Sequence, residues 1–250
     1  MISIVTPTVR SRGLDLVDKA LSRQTFKDFE WLPVGPHSVY LEHGFKRKFE
    51  CKGKEFIEEP EKAEGDKWTL NKAYNKAIKE ARGDLIVSWQ DFTYAKPDTL
   101  EKLWFHYRQE PKTLVTAVGN KYTDETWSVQ TWKDPRERDD QGTFYPCYWN
   151  DIEGNLCSVP KKAFYDVGGF DEEMDKWYGL DFFNVLNRLN DLGGYDFKID
   201  QTIKSYSLEH GRLNEHWDRD NWMANGRYND HVENQRRNGV WPVLPYLKTP

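Results

Sequence analysis

Two aspartates occupy positions from which a carboxylate can act on a ligand. Asp91 follows the apolar run Leu85–Trp89 in Trp89-Gln90-Asp91-Phe92, and so falls at the carboxyl end of a buried strand. There it either turns the chain or faces a crevice. Asp181 opens an amphipathic segment after Trp177-Tyr178-Gly179. A carboxylate at a helix start is favoured by the helix dipole, and a carboxylate held near a hydroxyl can take its proton. The loop from Thr6 to Arg12 offers Thr6, Pro7, Thr8 and Arg10. A guanidinium such as Arg10 pairs well with a phosphate. Asp66, Lys67 and Asn71 gather at the start of another helix, as a cap beside a solvated lysine or as ligand contacts. Gly168-Gly169 permits tight backbone turns, and Trp177 and Tyr178 offer flat aromatic faces. His210 stands alone after the last expected strand.

The elements that must position these residues follow from periodicity. Ile2–Thr6, closed by Pro7, reads as a strand; apolar residues at helical spacing predict a helix over Asp15–Gln24; Phe29–Val34 reads as a second strand closed by Gly35-Pro36. This β-loop-α-β opening is the mark of a parallel sheet with a binding crevice at its strand ends. A short strand is expected around Glu55–Glu58. Leu70, Ala73, Tyr74, Ala77, Ile78 and Ala81 predict a helix over Trp68–Ala81, stopped at Arg82-Gly83-Asp84. Strand Leu85–Trp89 and helix Thr99–Tyr107, entered through Pro97-Asp98, come next, then strand Leu114–Val118. Residues 122–148 are polar, aromatic and charged, most simply an excursion or flexible loop. Strand Leu156–Pro160, a helical turn stopped by Gly168-Gly169, a helix over Tyr178–Leu192 and a strand within Ile199–Leu208 complete the pattern. The tail from Glu215 is dense in Trp, Asn, Arg and Asp and is expected to wrap the domain.

Composition narrows the function classes. The 250 residues carry a formal net charge of −5, against a general electrostatic grip on nucleic acid. Aromatics reach 15% with 11 Trp, enough either to fill a modest aliphatic core or to line a groove that stacks on sugars or bases. Three cysteines without a CxxC pair suggest neither a disulfide framework nor a zinc site, and point to a reduced cytoplasmic compartment. No signal-peptide pattern opens the chain and no apolar run is long enough to span a bilayer, so a soluble protein is expected.

Four segments in order carry a resemblance. They are Ser3-Ile4-Val5-Thr6-Pro7-Thr8 with Gln24-Thr25-Phe26 behind it; Leu70-Asn71-Lys72-Ala73-Tyr74-Asn75-Lys76-Ala77 running through Arg82-Gly83-Asp84; Trp89-Gln90-Asp91 with Pro97-Asp98; and Val167-Gly168-Gly169-Phe170-Asp171-Glu172 with Trp177-Tyr178-Gly179-Leu180-Asp181. Together they span about residues 2–192, and the chain resembles the inverting GT-A glycosyltransferases of the family-2 type.

The resemblance implies an α/β fold of the GT-A, Rossmann-like kind: a mixed, mainly parallel sheet flanked by helices, with an aromatic-rich C-terminal extension. Residues 1–210 would form the transferase domain, with a donor half about 1–120 and an acceptor half about 145–210, and 211–250 the extension. It implies transfer of a sugar from a nucleoside-diphosphate donor, UDP-sugars favoured, to an acceptor saccharide or other hydroxyl compound. Asp181 would be the general base. Thr6, Pro7, Thr8, Arg10, Asp66, Lys67, Asn71, Gln90 and Asp91 would meet the nucleotide sugar, and Gly169, Trp177 and Tyr178 the acceptor. Mn²⁺ or Mg²⁺ would sit on Asp91 and His210, since such ions take hard oxygen ligands and need few carboxylates beside the phosphates. The sequence departs from the pattern in three places. The family's Asp-x-Asp is reduced to Asp91 between Gln90 and Phe92, the Glu before the base is Leu180, and the base-binding Asp after the second strand falls at Val34-Gly35.

Two other readings stay open. One is a degenerate, donor-binding member of the fold, which those departures favour. The other is a nucleotidyltransferase, faintly suggested by Thr6-Pro7-Thr8-Val9-Arg10-Ser11-Arg12-Gly13. Arginines and tryptophans alternate in the tail (Arg212, Trp217, Arg219, Trp222), which keeps a nucleic-acid acceptor as a minority reading.

Overall fold

Alternating burial along the central strands sets the layers of the molecule. In β1 (Ile2–Pro7), Ile2 and Ile4 join one apolar core while Val5 joins the other. In β4 (Leu85–Trp89), Leu85, Val87 and Trp89 face the first core and Ile86 the second. Both strands are buried on both faces, as strands covered by helices on each side must be. The computed structural model of the chain describes residues 1–39, 55–177, 181–209 and 226–248.

The first core receives Leu14, Val17, Ala20 and Leu21 of α1 (Ser11–Ser22) and Leu100 and Leu103 of α3 (Thr99–Gln109). The second receives Ala73, Tyr74, Ala77 and Ile78 of α2 (Leu70–Glu80), Ala163 and Phe164 of α4 (Lys161–Asp166), and Phe182, Val185, Leu186 and Leu189 of α5 (Asp181–Leu192). With β2 (Phe29–Gly35), β3 (Ile57–Glu58), β5 (Thr93–Ala95), β6 (Thr113–Tyr122), β9 (Leu156–Pro160) and β10 (Asp196–Leu208), the sheet order is β3-β2-β1-β4-β9-β6-β10-β5. β1, β2, β3 and β4 run parallel, as do β6 and β10, while β9 is antiparallel to both β4 and β6. The carboxyl ends of β1, β4, β6 and β10 therefore meet on one edge. The expected α/β architecture, a mixed and mainly parallel sheet flanked by helices, is what the chain adopts.

Trp31 and Trp89, both 0% exposed, fill the core rather than a groove. Each indole N–H is satisfied, by Thr6 Oγ1 at 3.0 Å and by the Thr93 carbonyl at 2.9 Å. Buried Gln24 bonds the carbonyls of Ala20 and Lys96 and accepts from the Leu100 amide, tying the end of α1 to the start of α3.

Several boundaries differ from the sequence reading. Helix α1 starts at Ser11, four residues before Asp15, so Gly13 lies inside its first turn and the loop after β1 is short. β5 was not foreseen; its three residues are held by antiparallel pairing with β10, a partner more than a hundred residues away. Residues 122–148 are no featureless excursion. β7 (Gln130–Trp132) pairs with β6, β8 (Phe144–Pro146) pairs with β10, and buried Asp134 anchors the segment between them. At the other end, α6 (Arg227–Arg237) places Tyr228 and Val232 against Met174 and Trp177. Beyond it, the amides of Leu244 and Leu247 bond the carbonyls of Val167 and Gly168. No helix among the described residues is long and apolar enough to cross a membrane.

Candidate functional site

At the end of β4 the chain turns through Phe92, which holds a left-handed φ of 57°. A non-glycine residue there costs of order 1–3 kcal/mol and persists where the surroundings over-determine it. Here Gly13 supplies the constraint. Its carbonyl accepts from the Phe92 amide at 3.2 Å, and a Cβ on it would lie 2.7 Å from Asp91 Cβ. The first turn of α1 is thus pressed against Asp91, and Arg10, just before that turn, is delivered to it. Arg10 Nε donates to Asp91 Oδ2 at 2.9 Å and Nη2 to Oδ1 at 2.6 Å, a two-point fork, with the guanidinium 5.0 Å over the Phe92 ring. Thr8 accepts from the Arg10 amide and donates its hydroxyl to Asp91 Oδ2 at 2.6 Å. Asp91 is 5% exposed and Arg10 23%, so the arginine is the open side of the pair.

This arrangement bears on the expected cation. A carboxylate offers roughly four lone-pair directions, and three donors already point at Asp91. Among the described residues no three His, Cys, Asp or Glu side chains gather as a metal site. The three donors on Asp91 leave it little capacity for a divalent ion, and His210 lies outside the described residues.

Asp181 is half-buried as the first residue of α5. The next residue fixes where it stands. The Phe182 ring packs on Gly154 so closely that a Cβ there would lie 2.5 Å away. The Gly154 carbonyl accepts from the Ser88 hydroxyl, and that of Asn155 accepts from the Gln90 amide at 3.0 Å. The start of α5 thus sits beside the end of β4. Tyr74 confirms the neighbourhood: burial pushes its hydroxyl well above the ordinary tyrosine range, and the charges of Asp181 and, more weakly, Asp91 push the same way. That hydroxyl bonds Ser88 at 3.0 Å, while its ring stacks on Phe170 and meets Phe182 edge-on. Tyr74 therefore stands within electrostatic reach of both carboxylates.

The remaining candidates divide. Pro7 and Gln90 are half-buried at the ends of β1 and β4, beside Thr8 and Asp91. Thr6 is fully buried and holds Trp31, so its role is to support the strand. Asn71 is also fully buried; its amide and backbone N–H both donate to Asp175 Oδ1. Asp66 caps nothing in α2 and instead pairs with Lys72, while Lys67 is exposed and donates its backbone N–H to the Asp175 carbonyl. Asp175, which sequence reasoning passed over as one acid among several, is the residue that caps α2 from the 3-10 turn Glu172–Lys176. Burial outweighs those donors and pushes its carboxyl up to about 6.

Gly168 and Gly169 have φ values of +72° and +87°, yet their glycine identity also makes room. A Cβ at 168 would lie 1.6 Å from the Leu244 carbonyl, and one at 169 would lie 2.5 Å from Asn75 Oδ1. The doublet seats the C-terminal segment. Trp177 packs edge-on to His231 of α6, half-buried. His231 and Gln235 both donate to fully buried Asp171 at 2.7 Å. Burial works to raise the Asp171 carboxyl, and the His231 bond and charge outweigh it, holding it below the usual range. Tyr178 lies outside the described residues.

Gly35 explains a departure from the family pattern. The Thr8 amide donates to the Val34 carbonyl at 2.9 Å, drawing the loop over the end of β2. A Cβ on Gly35 would then lie 2.1 Å from the Thr8 carbonyl, so no side chain fits where the family places its base-binding Asp.

No family model matches the sequence, and no curated protein matches it. Solved structures do. S. aureus TarS 1-349 in complex with UDP-GlcNAc is similar over 87% of this chain and 60% of its own, with 14% identity and a TM-score of 0.62. GalNAc-T7 with UDP, GalNAc and Mn²⁺ is similar over 87% of this chain and 45% of its own, with 12% identity and a TM-score of 0.61. The chain thus spans under two thirds of either matched protein, and the likeness covers nearly all of its own length. The chain has the GT-A glycosyltransferase fold.

Proposed function

We propose that the chain transfers a sugar from a nucleoside-diphosphate donor, a UDP-sugar by preference, to an acceptor hydroxyl with inversion at the anomeric carbon. One observation supports the reading: on a GT-A fold, Asp91 with its arginine follows the end of β4, and Asp181 opens α5 beside that strand end, both within electrostatic reach of Tyr74. Open α/β sheets bind ligands in that place. TarS, one of the matched structures, holds UDP-GlcNAc, which favours a UDP donor.

Asp181 takes the proton of the acceptor hydroxyl as its oxygen attacks the anomeric carbon. The bond from that carbon to the diphosphate breaks on the far side, and its electron pair leaves with the diphosphate. Thr8, Arg10 and the β1 end at Pro7 face the nucleotide, with Gln90 on the β4 side. Trp177 and the turn before it border the acceptor. We assign residues 1–210 to this transfer domain and 211–250 to an extension that packs on it. The acceptor is a saccharide or another hydroxyl compound.

Donor turnover tests the reading. Purified chain incubated with UDP-, GDP-, dTDP- and CDP-sugars should release one nucleoside diphosphate, and Asp181→Asn should abolish release while nucleotide still binds. Nucleotide binding with an inert wild type supports the second reading, a donor-binding protein without turnover, which the single carboxylate at Gln90-Asp91-Phe92 favours. Pyrophosphate release instead would mark a nucleotidyltransferase.

A further inference from the structure

We propose that Arg10 occupies the place of the divalent cation at Asp91, so that this chain binds its donor diphosphate through a guanidinium and without a metal ion. The inference rests on the transfer reading above and deepens it. Its basis is the use already made of each atom. Asp91 receives Arg10 Nε–H, Arg10 Nη2–H and the Thr8 hydroxyl, at 2.9, 2.6 and 2.6 Å. A carboxylate engaged in this way has roughly one lone-pair direction left, too few to seat an ion without breaking the fork.

Arg10 is the complementary half of the account. A guanidinium carries five N–H donors, and the fork to Asp91 uses two of them. No described residue takes the other three, on a side chain that is 23% exposed where its carboxylate partner is 5% exposed. Phe92 backs the guanidinium plane at 5.0 Å and Gly13 holds the turn against Asp91, so the cation is fixed from below and open above. A planar, permanently charged fork matches phosphate oxygens well, and preorganised charge of this kind stabilises a leaving group without moving. When the bond between the anomeric carbon and the diphosphate breaks, the electron pair passes to a phosphate oxygen beside Arg10. Asp91 is then a positioning residue: it orients the guanidinium and touches no substrate. The single carboxylate at Gln90-Asp91-Phe92 fits this arrangement, since one carboxylate suffices to hold one arginine and a second would add uncompensated negative charge next to the diphosphate.

The test is a calorimetric titration of UDP, GDP, dTDP and CDP into wild type, Arg10→Gln and Arg10→Lys, each in EDTA, in Mg²⁺ and in Mn²⁺. In parallel, Mn²⁺ alone is titrated with protein while its free electron-paramagnetic signal is followed. The expected results are a wild-type nucleotide affinity that changes less than about twofold between EDTA and either ion, and a free Mn²⁺ signal that wild type does not diminish. Arg10→Gln should weaken binding in EDTA by about tenfold to a hundredfold, the worth of charge-assisted bonds. Circular dichroism verifies that the variants fold, and Arg10→Lys, which keeps the charge but not the fork, makes the same comparison if Arg10→Gln does not. Wild-type binding that requires Mg²⁺ or Mn²⁺ overturns the inference and leaves the transfer reading standing. So does Arg10→Gln binding as tightly as wild type in EDTA. Failure of every nucleotide to bind under every condition overturns both.

Discussion

Two arginine–aspartate forks lie among the described residues, and they are built to different ends. Arg136 pairs with Asp134 through Nε at 2.9 Å and through Nη2, and Asp134 also accepts the Gly119 and Arg136 amides. The outer face of that guanidinium is spent too, on the carbonyls of Asp151 and Ala117. Burial works to raise the Asp134 carboxyl, but the Arg136 bond and the two amides hold it below its ordinary range. Four of the guanidinium's five donors end on protein. At Asp91 three donors meet the carboxylate, and among the described residues nothing takes the arginine's outer donors. The same residue pair is a staple in one place and, on the proposed reading, a receptor in the other. What separates them is where the guanidinium's far side points, a property that no pattern of residue types records.

Perturbing the two forks and their neighbours should separate these roles. The largest effect is expected from Asp181→Asn, which should slow transfer by about 10²–10⁴-fold, the usual worth of a general base, with an unchanged melting temperature. Next comes Asp134→Ala, which leaves the largely buried Arg136 only the half-exposed Glu153 at 3.4 Å as an ion-pair partner and should cost about 3 kcal/mol in urea titration. Nucleotide affinity of the folded fraction should not change, whereas Arg10→Gln should show the reverse, weak binding with a stability loss of about 1–2 kcal/mol, because water can reach the vacated fork. Gly168→Ala drives a methyl into the Leu244 carbonyl at a left-handed backbone and should cost about 1–3 kcal/mol, with faster proteolysis near the C-terminus.

The smallest effect concerns pH. Burial raises the Asp175 carboxyl to about 6, so the folded protein keeps a proton that the unfolded chain releases nearer 4. The stability tied to that proton is present at low pH and lost as pH rises from about 4 through 6. Urea midpoints measured at pH 4.5 and 7 should show that Asp175→Asn removes this component. Identical pH slopes for wild type and variant would contradict it.

The framework was readable wherever burial is two-sided. β1, β2, β4 and β9 are short apolar runs closed by Pro, Gly or Asp, and the 3.6-residue period of α2 leaves little choice. Reading failed where order comes from polar groups. The charged segment around Lys133–Asp140 looks solvated because charge usually is; only in three dimensions does Asp134 find Arg136, Gly119 and Asn120. Asp175 was hidden in an acidic run for the same reason. Within the candidate site, Asp91, Arg10 and Thr8 were each singled out, but as separate contacts. Their union depends on Gly13, whose missing side chain matters only once α1 is known to begin at Ser11. Thr6, Asn71 and Gly169 were chosen for position in a motif and turn out to face inward, holding Trp31, Asp175 and the C-terminal segment in place.

Gly35 and the loop that lies over it are interlocked. With the Thr8 carbonyl 2.1 Å from where a Cβ would be, an acidic side chain cannot be reinstated there by one substitution. The loop carrying Thr8 and Arg10 would have to lift first, and lifting it dismantles the fork at Asp91. Each change is harmful without the other, so mutational paths from this sequence to an acidic residue at position 35 cross a valley of broken intermediates. The glycine and the fork are in this sense one unit, and neither can be redesigned alone.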